Sequence, residues 1–184
     1  MSDPAFKPLD VPAFLAFAQR QERGRFELWG GEIVAMAPER VGHVRAKALI
    51  WRAFASAVEA GRLPCEAFVD GLAVVVDANT AYEPDVLVNC GSAIRDEDAL
   101  VATAPVIVVE VLSPGSANRD NTLKVEGYFR VATIAHYLVV DLSKRLVLHY
   151  RRDDGARLSL SIVREGALAL DPPGLSLPLS EIFR

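Results

Sequence analysis

The chain is poor in the features that mark several protein classes. It has two cysteines in 184 residues, Cys65 and Cys90, at no spacing that suits a metal. A chain of this length removes roughly 70% of its unfolded surface from water. It therefore needs no disulfide framework, and both cysteines read as reduced thiols. No apolar run approaches the ~18 residues that cross a bilayer. The N-terminus, Met-Ser-Asp-Pro, lacks the basic segment and apolar stretch of a secretory leader. A soluble, cytoplasmic protein without membrane contact is expected. Positive charge is not in excess either: 20 Lys and Arg face 24 Asp and Glu, a net charge of -4. That weighs against tight nucleic-acid binding spread over the whole surface and leaves only a local basic face. No repeat, low-complexity tract or Pro/Gly/Ser-rich linker divides the chain, so residues 1–184 are expected to form one domain.

What is present is a chain with 51% hydrophobic residues and well-punctuated periodicity. Val11, Phe14, Leu15 and Ala18 recur at helical spacing behind Asp10 and Pro12, residues suited to a cap and a first turn. Phe26–Trp29 and Glu32–Met36 flank Gly30-Gly31 and predict a hairpin with a two-residue turn. Val44, Ala48, Trp51, Ala55 and Val58 predict the buried stripe of a long helix over 42–60, stopped by Gly61. Arg45, Lys47 and Arg52 then form a basic flank, either a solvated face or a phosphate contact. Strands are predicted at 66–69, 72–76, 85–88, 106–111, 136–141, 145–151 and 157–163, with a helix over 117–131. The order defines a mixed α/β fold.

Two carboxylates conflict with their surroundings. Glu110 closes the apolar run Val106-Ile107-Val108-Val109, and Asp85 follows Pro84 at the head of another. An ionised carboxylate left unpaired out of water costs several kcal/mol. Residues 89–105 show no convincing amphipathic helix, so strands 85–88 and 106–111 are expected to be antiparallel neighbours. Asp85 then lies beside Glu110 at about one strand spacing, ~5 Å. Two like charges that close call for a cation. Mg2+ accepts one or two carboxylates, waters and phosphate oxygens. A lysine is the other choice, and Lys124, about two turns into the following helix, can fold back over the sheet end.

These residues carry a resemblance. Pro84-Asp85 followed by Glu110-Val111-Leu112 resembles the metal-binding half-motifs of the PD-(D/E)XK nuclease superfamily. The fuller pattern resembles an uncharacterised, restriction-endonuclease-like branch of it: Glu110-Val111-Leu112-Ser113-Pro114, then Arg119-Asp120, Lys124, Tyr128, Tyr137 and Asp141. It runs from the Glu27–Glu32 hairpin and His43 to Asp141, most of the chain. The resemblance implies a restriction-endonuclease-like mixed sheet flanked by helices, here with an N-terminal helix and hairpin. It implies that Asp85, Glu110 and the backbone carbonyl of Val111 hold Mg2+ or Mn2+, with Lys124 as the charge stabiliser. The implied activity is endonucleolytic hydrolysis of phosphodiester bonds, in DNA rather than RNA. The superfamily's lysine two residues after the glutamate is Leu112 here, and Lys124 takes its place from the helix. Gly115 and His136-Tyr137-Leu138 also depart from the branch pattern, and no role attaches to them.

His43 at the helix start and Glu32 in the hairpin are lesser candidates for the metal, as is Glu39. Each reads equally well as a surface or capping group. Glu110 alone could pair with Lys124 or Arg119, and Asp85 alone could be a turn residue. Gly30-Gly31 lacks the length and the following lysine of a phosphate-cradling loop. Trp29 and Trp51 fit packing better than base stacking. The rival function is a nuclease-like module that does not cut and serves in dimeric interaction or nucleic-acid binding, a reading favoured by the acidic net charge. Two carboxylates acting on a glycoside would require a sugar cleft, and the aromatic pattern offers none. A double-strand cutter pairs two sites, so a homodimer through Leu158–Ile162 or the N-terminal helix is an expectation alongside core packing of those faces.

Overall fold

The computed structural model describes residues 8–112, 119–153 and 157–183, with backbone alone at 119–122. Helix α1 (Val11–Gln19) starts as predicted: the Asp10 carboxylate accepts a hydrogen bond from Ala13 N–H at 2.9 Å, with Pro12 in the first turn. Strands β1 (Phe26–Trp29) and β2 (Glu32–Ala35) form the hairpin. Gly30 and Gly31 have φ of 57° and 89°, and a Cβ on Gly31 would lie 2.2 Å from Pro8 Cβ, so the turn demands glycine twice over. Helix α2 (Val41–Gly61) follows.

Beyond α2 come β3 (Cys65–Val69), β4 (Val74–Asp77), β5 (Thr80–Tyr82), β6 (Val86–Cys90), β7 (Pro105–Val111), α3 (Arg119–Arg130), β8 (His136–Asp141), β9 (Leu146–Arg152), β10 (Leu158–Val163), β11 (Ala167–Leu170), β12 (Leu175–Pro178) and α4 (Leu179–Ile182). Six strands form the main sheet in the order β10-β9-β8-β7-β6-β3, and β2-β1-β5-β4 form a second sheet. β6 and β7 pair antiparallel, as expected, with Val86 opposite Val109. β7 and β8 pair parallel, a connection that needs a crossover, supplied by the segment carrying α3.

Alternation along the main sheet sorts its side chains. Val86, Val88, Ile107, Val109, Val111, Leu138 and Val140 pack with Ile50 and Phe54 of α2. Leu87, Val108, Tyr137 and Val139 pack with Tyr128 and Phe129 of α3 on the other face. Glu110 is in phase with Val108, so it faces α3. Gly127 is where α3 comes closest: a Cβ there would sit 2.5 Å from Tyr82 Cε2 and 2.7 Å from its hydroxyl. Gly127→Ala is expected to cost about 1–3 kcal/mol, read as a lower urea midpoint with an unchanged slope. An unchanged midpoint would mean that Tyr82 swings aside freely.

Several expectations are corrected. The α2 stripe is Ala46, Ile50, Phe54 and Val58 rather than the one through Val44, Ala48 and Trp51, and of the predicted set only Val58 is buried. Lys47, expected on a basic flank, is 2% exposed. Its ion pairs with Glu39 and Asp70 turn the helix by satisfying the ammonium inside the fold. The helix runs through Gly61, and Arg62 with φ 48° makes the left-handed cap. Cys65 and Cys90 are not free thiols. They stand directly opposite each other on β3 and β6, Cα atoms 4.0 Å apart, and are joined by a disulfide; a pairing set by strand register cannot be read from spacing. Of the two readings left open for the N-terminal helix, core packing holds at Val11 and Phe14, which pack with Leu28, Ala73 and Ala81. Leu158, Leu160 and Ile162, at 41, 51 and 61% exposure, are left uncovered on the edge strand β10. Among the described residues no helix is long and apolar enough to cross a membrane.

Candidate active site

The end of the β6–β7 ladder gathers the charged groups. Glu110, 8% exposed, accepts at Oε1 from Lys124 Nζ at 2.8 Å and from the Tyr128 hydroxyl at 2.7 Å. Burial pushes its carboxyl up to about 7, against the pull of Lys124 and with the negative charges of Asp85 and Glu27 adding to the rise. Lys124 is 7% exposed. Burial opposes its charge, but Glu110 and Glu27 outweigh that and hold the ammonium above its ordinary range. It is thus a fixed cation, not a general base.

Asp85, 2% exposed, faces other partners. Its Oδ2 accepts from Val111 N–H at 2.7 Å and lies 3.0 Å from His43 Nε2. Burial would raise this carboxyl, yet the His43 bond and the Val111 amide carry it below its ordinary value. His43 in turn is raised, chiefly by the bond to Asp85. Ligand-capable atoms of Glu39, His43 and Asp85 all lie within 4.8 Å of one another. Behind them Arg25 pairs with Glu39, with Asp70 at 2.9 Å and with Glu83 at 2.7 Å, and Lys47 pairs with Glu39 and Asp70.

Among the described residues, six carboxylates of this network (Glu27, Glu39, Asp70, Glu83, Asp85, Glu110) meet three permanent cations (Arg25, Lys47, Lys124) and His43. With His43 protonated and every acid ionised, two negative charges are left uncompensated, and a proton on Glu110, whose carboxyl is pushed up to about 7, would remove one of them. Asp85 Oδ1 and Glu110 Oε2 carry no hydrogen bond among the described residues. Free carboxylate oxygens in a net-negative, mostly buried site suit a hard divalent cation.

The structure therefore brings Asp85, Glu110, Lys124 and His43 to one end of the sheet. Glu32 it leaves exposed on the edge strand β2, outside the Glu39–His43–Asp85 group. Leu112 packs against the α3-side core where the superfamily's lysine would stand. Asp141 is a turn residue that accepts from Ser143 Oγ and Lys144 N–H, and Trp51 donates to the Ala67 carbonyl. Ser113, Pro114 and Gly115 and the side chains of Arg119 and Asp120 lie outside the described residues. Sequence reasoning missed Arg25, Glu27, Asp70 and Glu83 as members of the network, placed Lys47 on a solvated or phosphate-facing flank, and quoted Tyr128 without a role. Tyr128 alone carried a signal, standing four residues after Lys124 on one helix face.

Fold and site together define a protein of the restriction-endonuclease-like class. The chain belongs to the family described as "Uma2: Putative restriction endonuclease", whose model matches residues 11–180. Two proteins of Synechocystis sp. (strain ATCC 27184 / PCC 6803 / Kazusa) are similar to it, both described as uncharacterised. One, slr1290, is 29% identical over 181 residues, covering 97% of this chain and 93% of its own. The other, sll1609, is 26% identical over 140 residues, covering 74% and 78%. Among solved structures, a "putative nuclease belonging to DUF820" from Anabaena variabilis ATCC 29413 superposes with a TM-score of 0.74 at 18% identity, covering 96% of this chain and 98% of its own. At that identity the likeness is one of fold.

Proposed function

We propose that the protein is an endonuclease that hydrolyses phosphodiester bonds with Mg2+ or Mn2+. The observation that carries this reading is the excess of carboxylate over cation in the network at the end of β6 and β7, with Asp85 and Glu110 buried within it. Asp85 and Glu110, with the backbone carbonyl of Val111, would hold the metal, and His43 and Glu39 border it as further ligands. When bound, such an ion supplies Lewis-acid charge at the phosphoryl group and lowers the pKa of water. Lys124, permanently charged, stabilises negative charge that builds on the phosphate oxygens. Tyr128 fixes the Glu110 rotamer, and the Val111 amide with His43 fixes that of Asp85. The family description as a restriction endonuclease favours DNA over RNA. Cutting both strands calls for two sites, so a homodimer belongs to the same proposal, with Leu158, Leu160 and Ile162 available for it.

The test is incubation of the purified protein with plasmid and with single-stranded DNA in Mg2+, Mn2+ or chelator, beside an Asp85→Ala/Glu110→Ala double variant. Metal-dependent cleavage that vanishes in the variant is the expected result. No cleavage with either metal would replace the enzyme by a non-catalytic interaction or nucleic-acid-binding module.

A further inference from the structure

We propose that Glu27 is the positioning residue of this site: it anchors the Lys124 ammonium so that Glu110 is free to face a divalent cation. The inference rests on the metal-dependent reading above.

Glu27 sits on β1, 4% exposed, and among the described residues it accepts hydrogen bonds from three donors. Its Oε1 accepts from Lys124 Nζ at 2.8 Å and from Glu83 N–H at 2.9 Å, and its Oε2 accepts from Trp29 Nε1 at 2.9 Å. A backbone amide and an indole ring hold the carboxylate in one orientation whether or not Lys124 is present. Both oxygens already have donors pointing at them, the opposite of what a metal ligand needs. Glu110 differs, since among the described residues only its Oε1 is engaged. The ammonium is further walled by the rings of Tyr82 and Trp29, with centroids 5.6 and 6.0 Å away, which themselves pack 5.0 Å apart. Remove the Glu27 charge and Glu110 becomes the one carboxylate bonded to Lys124. The lysine then caps the oxygens that a cation would use. With Glu27 present, Lys124 keeps a partner while Glu110 offers its other oxygen to the metal.

Two measurements test this, the first on Glu27→Gln and on Trp29→Phe, which removes the indole donor and spares the acid. The first needs no metal: the Lys124 Nζ proton–nitrogen cross-peak, recorded at low temperature and mildly acidic pH, is expected in the parent through slow exchange. It is expected to be lost in Glu27→Gln and broadened in Trp29→Phe. A peak that persists in Glu27→Gln overturns the anchor. The second is Mn2+ affinity by calorimetry through a cycle of Glu27→Gln, Lys124→Met and the double variant. Glu27→Gln is expected to weaken Mn2+ on the order of tenfold and to have no effect in the Lys124→Met background. Equal weakening in both backgrounds would make Glu27 a metal ligand instead, and no weakening in the parent background would also sink the proposal. A parent that binds no Mn2+ removes the metal reading, and the cross-peak then decides the anchor alone.

Discussion

Glu110→Gln is expected to make the chelator-treated protein more stable at pH 8 by about 1–3 kcal/mol while reducing metal-dependent cleavage on the order of 10^3 or more. The glutamine keeps the Tyr128 bond and removes a buried charge. Glu110 titrates near 7 in the folded chain against an ordinary 4.5. Between those values the folded state binds the extra proton, so its stability falls as pH rises from about 4.5 to 7, and the full cost stays above 7. His149 pulls the other way. Burial, with the neighbouring His136 and Arg151, lowers its imidazole from 6.5 to about 4, so stability is lost as pH drops from 6.5 toward 4. In the parent the two slopes partly cancel, and the difference between parent and Glu110→Gln isolates Glu110. Urea titration in chelator from pH 5 to pH 8 should show the variant's advantage growing with pH. An advantage that is flat with pH, or a variant less stable at pH 8, would mean that Glu110 is ionised at little cost and that its pair with Lys124 dominates.

Lys124→Ala is the second large effect. It strips the cation that, among the described residues, bonds both Glu27 and Glu110, and breaking a buried pair from one side costs about 3–5 kcal/mol. The loss is expected to be smaller at pH 6 than at pH 8, because Glu110 can take up a proton in place of the ammonium. Mn2+ is expected to return part of the stability by supplying another positive charge beside Glu110, although activity stays low without the lysine. Unfolding with and without Mn2+ at both pH values checks this. A loss independent of pH, with no recovery in Mn2+, would place the lysine's contribution in packing rather than in charge.

The antiparallel pairing of β6 and β7 was legible because the segment between them carries no helical pattern. That placed Asp85 and Glu110 at one sheet end, and the helix after β7 placed Lys124 in reach. Less legible were groups whose partners come from remote segments. Glu27 looks like any charged residue of a hairpin, since nothing nearby in sequence tells of Trp29 Nε1, Glu83 N–H and Lys124 converging on it. Lys47 carries the general lesson for α2: a charged residue was read as polar, the buried stripe was drawn through Val44 and Trp51, and the ion pairs with Glu39 and Asp70 turned the helix toward Ile50 and Phe54. β11 and β12, four residues each, are too short for a period to declare itself.

The two ion pairs of Lys124 span very different lengths of chain. The pair with Glu110 is 14 residues apart and the pair with Glu27 is 97. Closing the longer loop from the open chain costs roughly 2 kcal/mol more in chain entropy, so the local pair is expected to form before the hairpin docks. A chain folding in that order would carry Glu110 capped by its own lysine. On the proposed metal reading, it would be released for outside cations only when the N-terminal hairpin arrives. Metal uptake by this protein would then be slow to appear during refolding, lagging the recovery of β-structure, and would report the last long-range contact to close.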